Sequence, residues 1–331
     1  MLSSVKIRNF KSIRELEFAP RRVNIFIGEP NSGKSNMLEA LAFFSAGVYE
    51  PKTFKEVFRF RKTPDLFFDR EISKSIQVQA GSLSFELAFT PPKSFEAQVC
   101  QQRKVLRRVE LSGSGLNPYQ RLDDPTFGVC YYRFRSLSRF SDQMLGILYP
   151  PYGSNLAAVL ASNHDLRRKV SDLFKSKGFR LQLDPLESEL ALAKDVDDQL
   201  FKYPYESGSE TLRRVVFFLA AMETNRNAVL LFNEPEANTF PFYTKFLAER
   251  MALDKSNQYF ISTHNPYVLS SLVEKTPVKE LRVFITFMEN FQTRLKEATP
   301  EGLSRILDLG SSVFFNLERF LEDDALSGVQ A

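Results

Sequence analysis

The stretch GEPNSGKSN, running from Gly28 to Asn36, constrains this chain more than any other part of it. It fits the pattern G-x-x-x-x-G-K-[ST] with Gly28, Gly33, Lys34 and Ser35 at the defining positions. Glycines at those places let successive backbone N–H groups turn inward around an anion. A helix beginning at the lysine adds free N–H groups and the positive end of its dipole. Such a loop needs a strand before it and a helix after it. Both are legible. VNIFI is a compact apolar run ending at Gly28, and SNMLEALAFF places Met37, Leu38, Leu41 and Ala42 on one face at helical spacing. Gly28, Glu29, Pro30, Asn31, Ser32, Gly33, Lys34, Ser35 and Asn36 are therefore read as a phosphate loop for ATP. Lys34 reaches the β- and γ-phosphates, and the Ser35 hydroxyl is a magnesium ligand.

Three later stretches supply the rest of a constellation. In AVLLFNEPEANTFP, Ala228 to Phe232 form a buried strand. Asn233 and Glu234 stand at its carboxyl end, where ligands of open α/β sheets collect. Phosphate-loop ATPases place a magnesium partner there, followed by a glutamate that orients attacking water. Asn233 can accept a hydrogen bond from metal-bound water but cannot neutralise charge. In YFISTHNPYVL, a short strand from Tyr259 to Thr263 ends at His264, and Pro266 opens a helix. His264 is placed to meet a γ-phosphate. In ESGSETLRRVVFFLAAM, Ser207 and Glu210 fit a capping box, and Leu212, Val215, Val216 and Leu219 mark a buried helix face. Ser207, Gly208 and Ser209 form a second helix N-terminus able to grip phosphate. Taken singly, these stretches read as a capped strand end, a structural histidine and a capped helix; the phosphate loop tips them towards function.

In that order, the four parts resemble the ATP-binding-cassette ATPase superfamily, in the branch of the RecF, SMC and OLD-like heads. IRNFKSI before the phosphate loop is similar to that branch's opening, and EPEANTFP is similar to the EPE-x-H-x-x-P of compact OLD-like ATPases. The resemblance covers residues 1 to 45 and 205 to 270. It implies an α/β phosphate-loop head with a mixed central sheet, an antiparallel β subdomain and a helical insertion. It also implies two heads sandwiching two nucleotides, with Ser207, Gly208 and Ser209 of one copy acting on ATP held by the other. Glu234 is then the general base, His264 the γ-phosphate sensor, Lys34 a catalytic phosphate ligand, and Ser35 with Asn233 the Mg2+ site. Asn233 stands where the family has an acid and Asn238 where it commonly has a histidine. Both departures point to slow turnover. The family's lid glutamine has only Gln77 and Gln79 as candidates.

The rest of the chain supplies boundaries. Residues 1–135 read as a nucleotide-binding lobe with an antiparallel sheet built from SIQVQAG, LSFELAFT and FGVCYYRF. Residues 136–205 read as a mostly helical insertion, including DLRRKVSDLFKSKGF and DPLESELALAKD. Residues 206–331 read as the remaining ATPase core with closing helices. Two cysteines and two histidines offer no zinc motif. The net charge of +4 is too small to prove nucleic-acid binding, and the basic clusters at Arg133, Arg135 and Arg139 and at residues 101–108 read first as solvated faces. No apolar run is long enough for a bilayer and the first residues lack a secretory core, so a cytoplasmic protein is expected. The expected partners are a second copy, a separate nuclease or toxin effector, and DNA, in a setting such as anti-phage defence. A non-hydrolysing scaffold is the alternative. A transporter subunit fits less well, because of IRNFKSI and EPEANTF.

Overall fold

A computed structural model describes residues 1–45, 51–116, 128–184 and 188–322. The chain opens with the hairpin β1 (Val5–Phe10) and β2 (Ile13–Phe18), then the strand β3 (Val23–Gly28) and the helix α1 (Lys34–Ala42). After α2 (Pro51–Phe58) come β4 (Ile76–Ala80), β5 (Leu83–Thr90), β6 (Ser94–Gln101), β7 (Lys104–Ser112), β8 (Gly115–Leu116) and β9 (Val129–Tyr132). Next are α3 (Leu156–Ser162), α4 (His164–Lys175), β10 (Arg180–Asp184), β11 (Glu189–Val196) and β12 (Gln199–Pro204). The chain continues through α5 (Glu210–Thr224), β13 (Val229–Asn233), α6 (Pro241–Leu253), β14 (Gln258–Ser262) and α7 (Pro266–Lys275). It closes with β15 (Leu281–Glu289), β16 (Gln292–Glu297), α8 (Pro300–Leu309) and α9 (Glu318–Glu322).

The central sheet has the order β16-β15-β3-β14-β13-β9. All its neighbours pair in parallel except β16, which joins β15 as a hairpin. Every residue of β3 and β14 is buried, as expected of parallel strands covered on both faces. One face carries α5, α6 and α7 over a core that includes Val216, Phe218, Leu247 and Leu269. The other carries α1 and a separate antiparallel sheet, β2-β1-β4-β5-β6-β7-β8. Phenylalanines weld that second interface: Phe26 of β3 stacks on Phe284 at 5.4 Å, and Phe43, just past α1, stacks on Phe85 at 4.0 Å and Phe58 at 4.3 Å. Each buried ring contributes roughly 1.5–3 kcal/mol by leaving water.

Two expectations need correction. FGVCYYRF does not join the antiparallel sheet. Its strand β9 lies in the central sheet, parallel to β13 with Tyr132 opposite Phe232. All four of its residues are buried, a pattern that suits a two-sided parallel strand better than a half-exposed antiparallel one. The segment 136–205 is also not mostly helical. ELALAKDV is β11, paired on both sides in the sheet β10-β11-β12. Its helix-forming residues lose to that pairing, because strand preference depends on context more than on residue type. Asp197 and Asp198 hold the adjoining two-residue turn, both at positive φ, which matches the twist of a tight hairpin.

Candidate nucleotide site

The parallel strands deliver their carboxyl ends to one edge of the central sheet, and the phosphate loop, Asn233, Glu234 and His264 gather there. β3 leads into the phosphate loop, whose glycines are sterically required. At Gly28, with φ +152°, an added Cβ would lie 2.3 Å from the Thr286 carbonyl oxygen. At Gly33, with φ +97°, it would lie 2.1 Å from the Thr293 hydroxyl. Thr286 and Thr293 come from β15 and β16, so the hairpin beyond β3 sets how closely the loop is packed. The Ser32 hydroxyl meets that of Thr286 at 2.6 Å, and the Asn36 amide donates to Ser12 at 2.7 Å. Glu29, Pro30 and Asn31 form the exposed rim, with Asn31 at φ 62°.

Lys34 is only 5% exposed. Its ammonium donates to the carbonyls of Gly28 at 2.8 Å and Glu29 at 2.6 Å, and to the Ser32 hydroxyl at 3.4 Å. Burial pushes its pKa down to about 8, against the pull of the Glu234 and Glu29 carboxylates. A desolvated ammonium held by neutral carbonyls, inside a cradle where glycines leave no room for side chains, fits a polyphosphate.

Ser35 and Asn233 meet directly. The Ser35 hydroxyl donates to Asn233 Oδ1 at 3.3 Å, and the Ser262 hydroxyl donates to the same oxygen at 2.7 Å. These oxygens would hold a magnesium ion, which would screen phosphate charge when bound. Asn233 would take part without contributing negative charge.

One residue further on, Glu234 sits at φ 48°, a left-handed conformation that is costly for a non-glycine residue and characteristic of functional turns. Its Oε1 lies 3.3 Å from His264 Nε2, at the end of the neighbouring strand β14. The hydrogen bond from His264 holds the Glu234 carboxyl below the usual range. Burial opposes this, and the charges of Lys34 and Arg133 add smaller pulls in the same direction.

The first 111 residues match the AAA ATPase domain family. Across nearly the whole chain, the structure resembles an SMC head bound to the C-winged helix domain of ScpA. The TM-score is 0.51 at 14% identity, covering 91% of this chain and 98% of that one. This chain thus has the fold of an SMC head. An SMC head with an extended coiled coil, bound to the C-terminal domain of ScpA and derived from Pyrococcus furiosus, gives a TM-score of 0.49 at 13% identity, covering 93% of this chain and 98% of that one. No curated protein sequence matches the chain. The family match contains the phosphate loop and ends before Asn233, Glu234 and His264. Among the described residues, no helix of the head is long and apolar enough to cross a membrane.

The segment Ser207, Gly208 and Ser209, read from the sequence as the signature that meets a second copy's ATP, stands apart. Ser207 and Ser209 are exposed and Gly208 is half-buried against Leu192. Among the described residues, no hydrogen bond joins these three to the phosphate loop. The capping box expected from Ser207 and Glu210 does not form. α5 starts at Glu210, its N-cap is Ser209 without a side-chain bond, and Glu210 pairs instead with Arg214 one turn on. Ser207 lies too early in the chain, in a separate helical turn, to reach the first free N–H groups.

Gln77 and Gln79 lie on β4, in the antiparallel sheet. Gln77 bonds to Ser75 and Glu86, and Gln79 is exposed. On the side of β13 away from β14 lies β9, and the residue that follows it is Arg133, exposed at the same sheet edge as Glu234. Sequence reading saw Arg133 only as part of a basic cluster. It also missed Ser262, Thr286, Thr293 and Glu236. Glu236, two residues beyond Glu234, and Ser262, two before His264, lay inside quoted motifs; Thr286 and Thr293 become neighbours only through strand pairing.

Proposed function

We propose that this head binds ATP with magnesium, hydrolyses it, and dimerises around it, so that Ser207, Gly208 and Ser209 of each copy cap the nucleotide of the other. The observation that carries this reading is the junction at the carboxyl edge: Ser35 against Asn233, and Glu234 against His264, beside a buried Lys34. Glu234, kept ionised by His264, accepts the proton of the water that attacks the γ-phosphorus. Lys34 leaves its loop carbonyls for the β- and γ-phosphates and offsets the charge that builds there. His264 holds the Glu234 carboxylate at its working angle and faces the γ-phosphate.

The exposed side chains of the same edge support association with a second copy. Phe240 and Phe242 follow β13, Phe291 caps the β15–β16 hairpin, and Phe315 adjoins Phe314, whose ring is 6.5 Å from His264. Such rings are costly to leave in water. ATP-driven closure of the pair then acts on DNA or controls a separate nuclease or toxin effector, and anti-phage defence by a compact OLD-like ATPase in the cytoplasm is the setting we favour. EPEANTFP supports the OLD-like assignment within the branch, as does the shortness of the described helices, the longest of which is α5 with 15 residues.

The second reading is an ATP-dependent scaffold that does not turn over, favoured by the neutral Asn233 at the magnesium position. Magnesium-dependent ATP turnover separates the two. Glu234→Gln should keep nucleotide binding, favour the dimer, and lower turnover about 10²- to 10⁴-fold. Normal turnover in Glu234→Gln removes the general-base assignment. A silent wild type that gains turnover through Asn233→Asp establishes the scaffold. DNA binding is tested across a salt series with and without ATP, where a salt-independent signal, or none, removes the DNA role.

A further inference from the structure

Glu236 is 6% exposed, yet it lies two residues from Glu234 and does not face the phosphate loop through any hydrogen bond. Its Oε1 accepts the Thr263 hydroxyl at 2.5 Å and the His264 backbone N–H at 3.4 Å, while Oε2 is buried with no partner among the described residues. Thr263 in turn accepts from the Asn265 N–H at 3.0 Å, and Asn265 caps α7. A carboxyl is an expensive way to fill such a space, because desolvating its charged form costs several kcal/mol. Burial does push this carboxyl up, against the pull of the Thr263 hydroxyl and of two backbone N–H groups, its own and that of His264.

The position explains the expense. The β13–β14 ladder ends at Asn233 opposite Ser262, with one further bond from the Glu234 N–H to the Ser262 carbonyl. Glu234 and His264 both lie beyond that ladder, each on its own connection. Glu236 is the side chain that ties one connection to the backbone of the other.

We propose that Glu236 is a positioning residue that clasps Thr263 and the His264 backbone to the turn after β13, and so sets the approach of the His264 ring to Glu234. This rests on the catalytic reading of Glu234 and His264, and it adds a constraint that neither residue supplies.

The test compares Glu236→Ala, Glu236→Gln and Thr263→Val in the full chain. ATP affinity and turnover are measured alongside the imidazole nitrogen resonances, which are simple because the chain has two histidines. Glu236→Ala should keep ATP affinity within about threefold while turnover falls about 10- to 100-fold, the penalty of a misplaced catalytic pair. Its His264 resonances should move towards those of Glu234→Gln. Glu236→Gln should recover most of both, since its amide oxygen accepts the same two bonds, whereas Thr263→Val, which keeps the space filled but removes the hydroxyl bond, should behave like Glu236→Ala. If Glu236→Ala does not fold, Thr263→Val removes the 2.5 Å bond and is read the same way. Unchanged His264 resonances in Glu236→Ala or Thr263→Val overturn the proposal. A wild type without turnover defeats the catalytic reading instead, and the resonances still decide whether Glu236 sets the His264–Glu234 contact.

Discussion

The phosphate loop and the signature segment are both glycine-containing turns ahead of a helix, and they are built in opposite ways. In the loop, Gly28 and Gly33 lie under Thr286 and Thr293, Lys34 is buried against three oxygens, and Asn36 is tied to Ser12. In the signature segment, the Ser207 and Ser209 side chains are exposed, and the helix N-cap makes no side-chain bond. The loop is complete within one chain. The signature segment presents its polar groups outwards, as the proposed capping of a second copy's nucleotide requires.

The largest expected effect falls on the closed half. Lys34→Ala should weaken ATP binding about 100-fold or more by removing charge-assisted bonds to phosphate. The variant's own melting temperature should hold or rise, because a desolvated ammonium has been removed. Calorimetric titration and thermal melts in the same buffer check both points, and a large drop in melting temperature would show that Lys34 is structural.

Two glycine substitutions break the comparison at the backbone. Gly33→Ala should cost about 2–4 kcal/mol in urea unfolding, since φ is +97° and the new methyl meets the Thr293 hydroxyl. Gly208→Ala should cost only about 1 kcal/mol, because Gly208 needs no positive φ and its nearest obstacle is the movable end of Leu192. Equal costs would mean that the two turns are under the same constraint.

The open half is tested by Ser207→Arg. Turnover should fall about tenfold or more through the clash at a head–head interface, while stability stays within about 0.5 kcal/mol because the site is exposed. ATP binding to isolated heads should be unaffected. Loss of that binding would place the signature in the same half-site as the loop.

The smallest effect is that of pH. Burial holds Lys34 at about 8, below its ordinary 10.5, so the folded chain loses this proton before the unfolded chain does. Between those values the unfolded state binds more protons, and the contribution of Lys34 to stability rises with pH across that window. ATP needs the ammonium, so affinity should fall as pH rises above about 8, by at most tenfold per unit. Titrations at pH 7, 8 and 9 measure it, and a flat profile would show that Lys34 is not the phosphate ligand.

Much of the site was legible because its residues sit at fixed distances from sequence punctuation. The loop announces itself through Gly28 and Gly33, and the Glu234–His264 pair through apolar runs that stop at Asn233 and Thr263. Helix α1 and the strands β3, β13 and β14 follow from local pattern alone. β11 did not, because helix-forming residues can be drafted into a strand by two paired neighbours. The phosphate loop and the residues at strand ends were thus determined by the sequence itself, through local backbone geometry and hydrophobic runs. Tertiary structure alone decided that β9 flanks β13 and brings Arg133 to the edge, that a threonine hairpin closes over the loop glycines, and that Glu236 clasps Thr263. Those contacts join parts of the chain far apart in sequence, and strand order, which local preference does not encode, sets which of them meet.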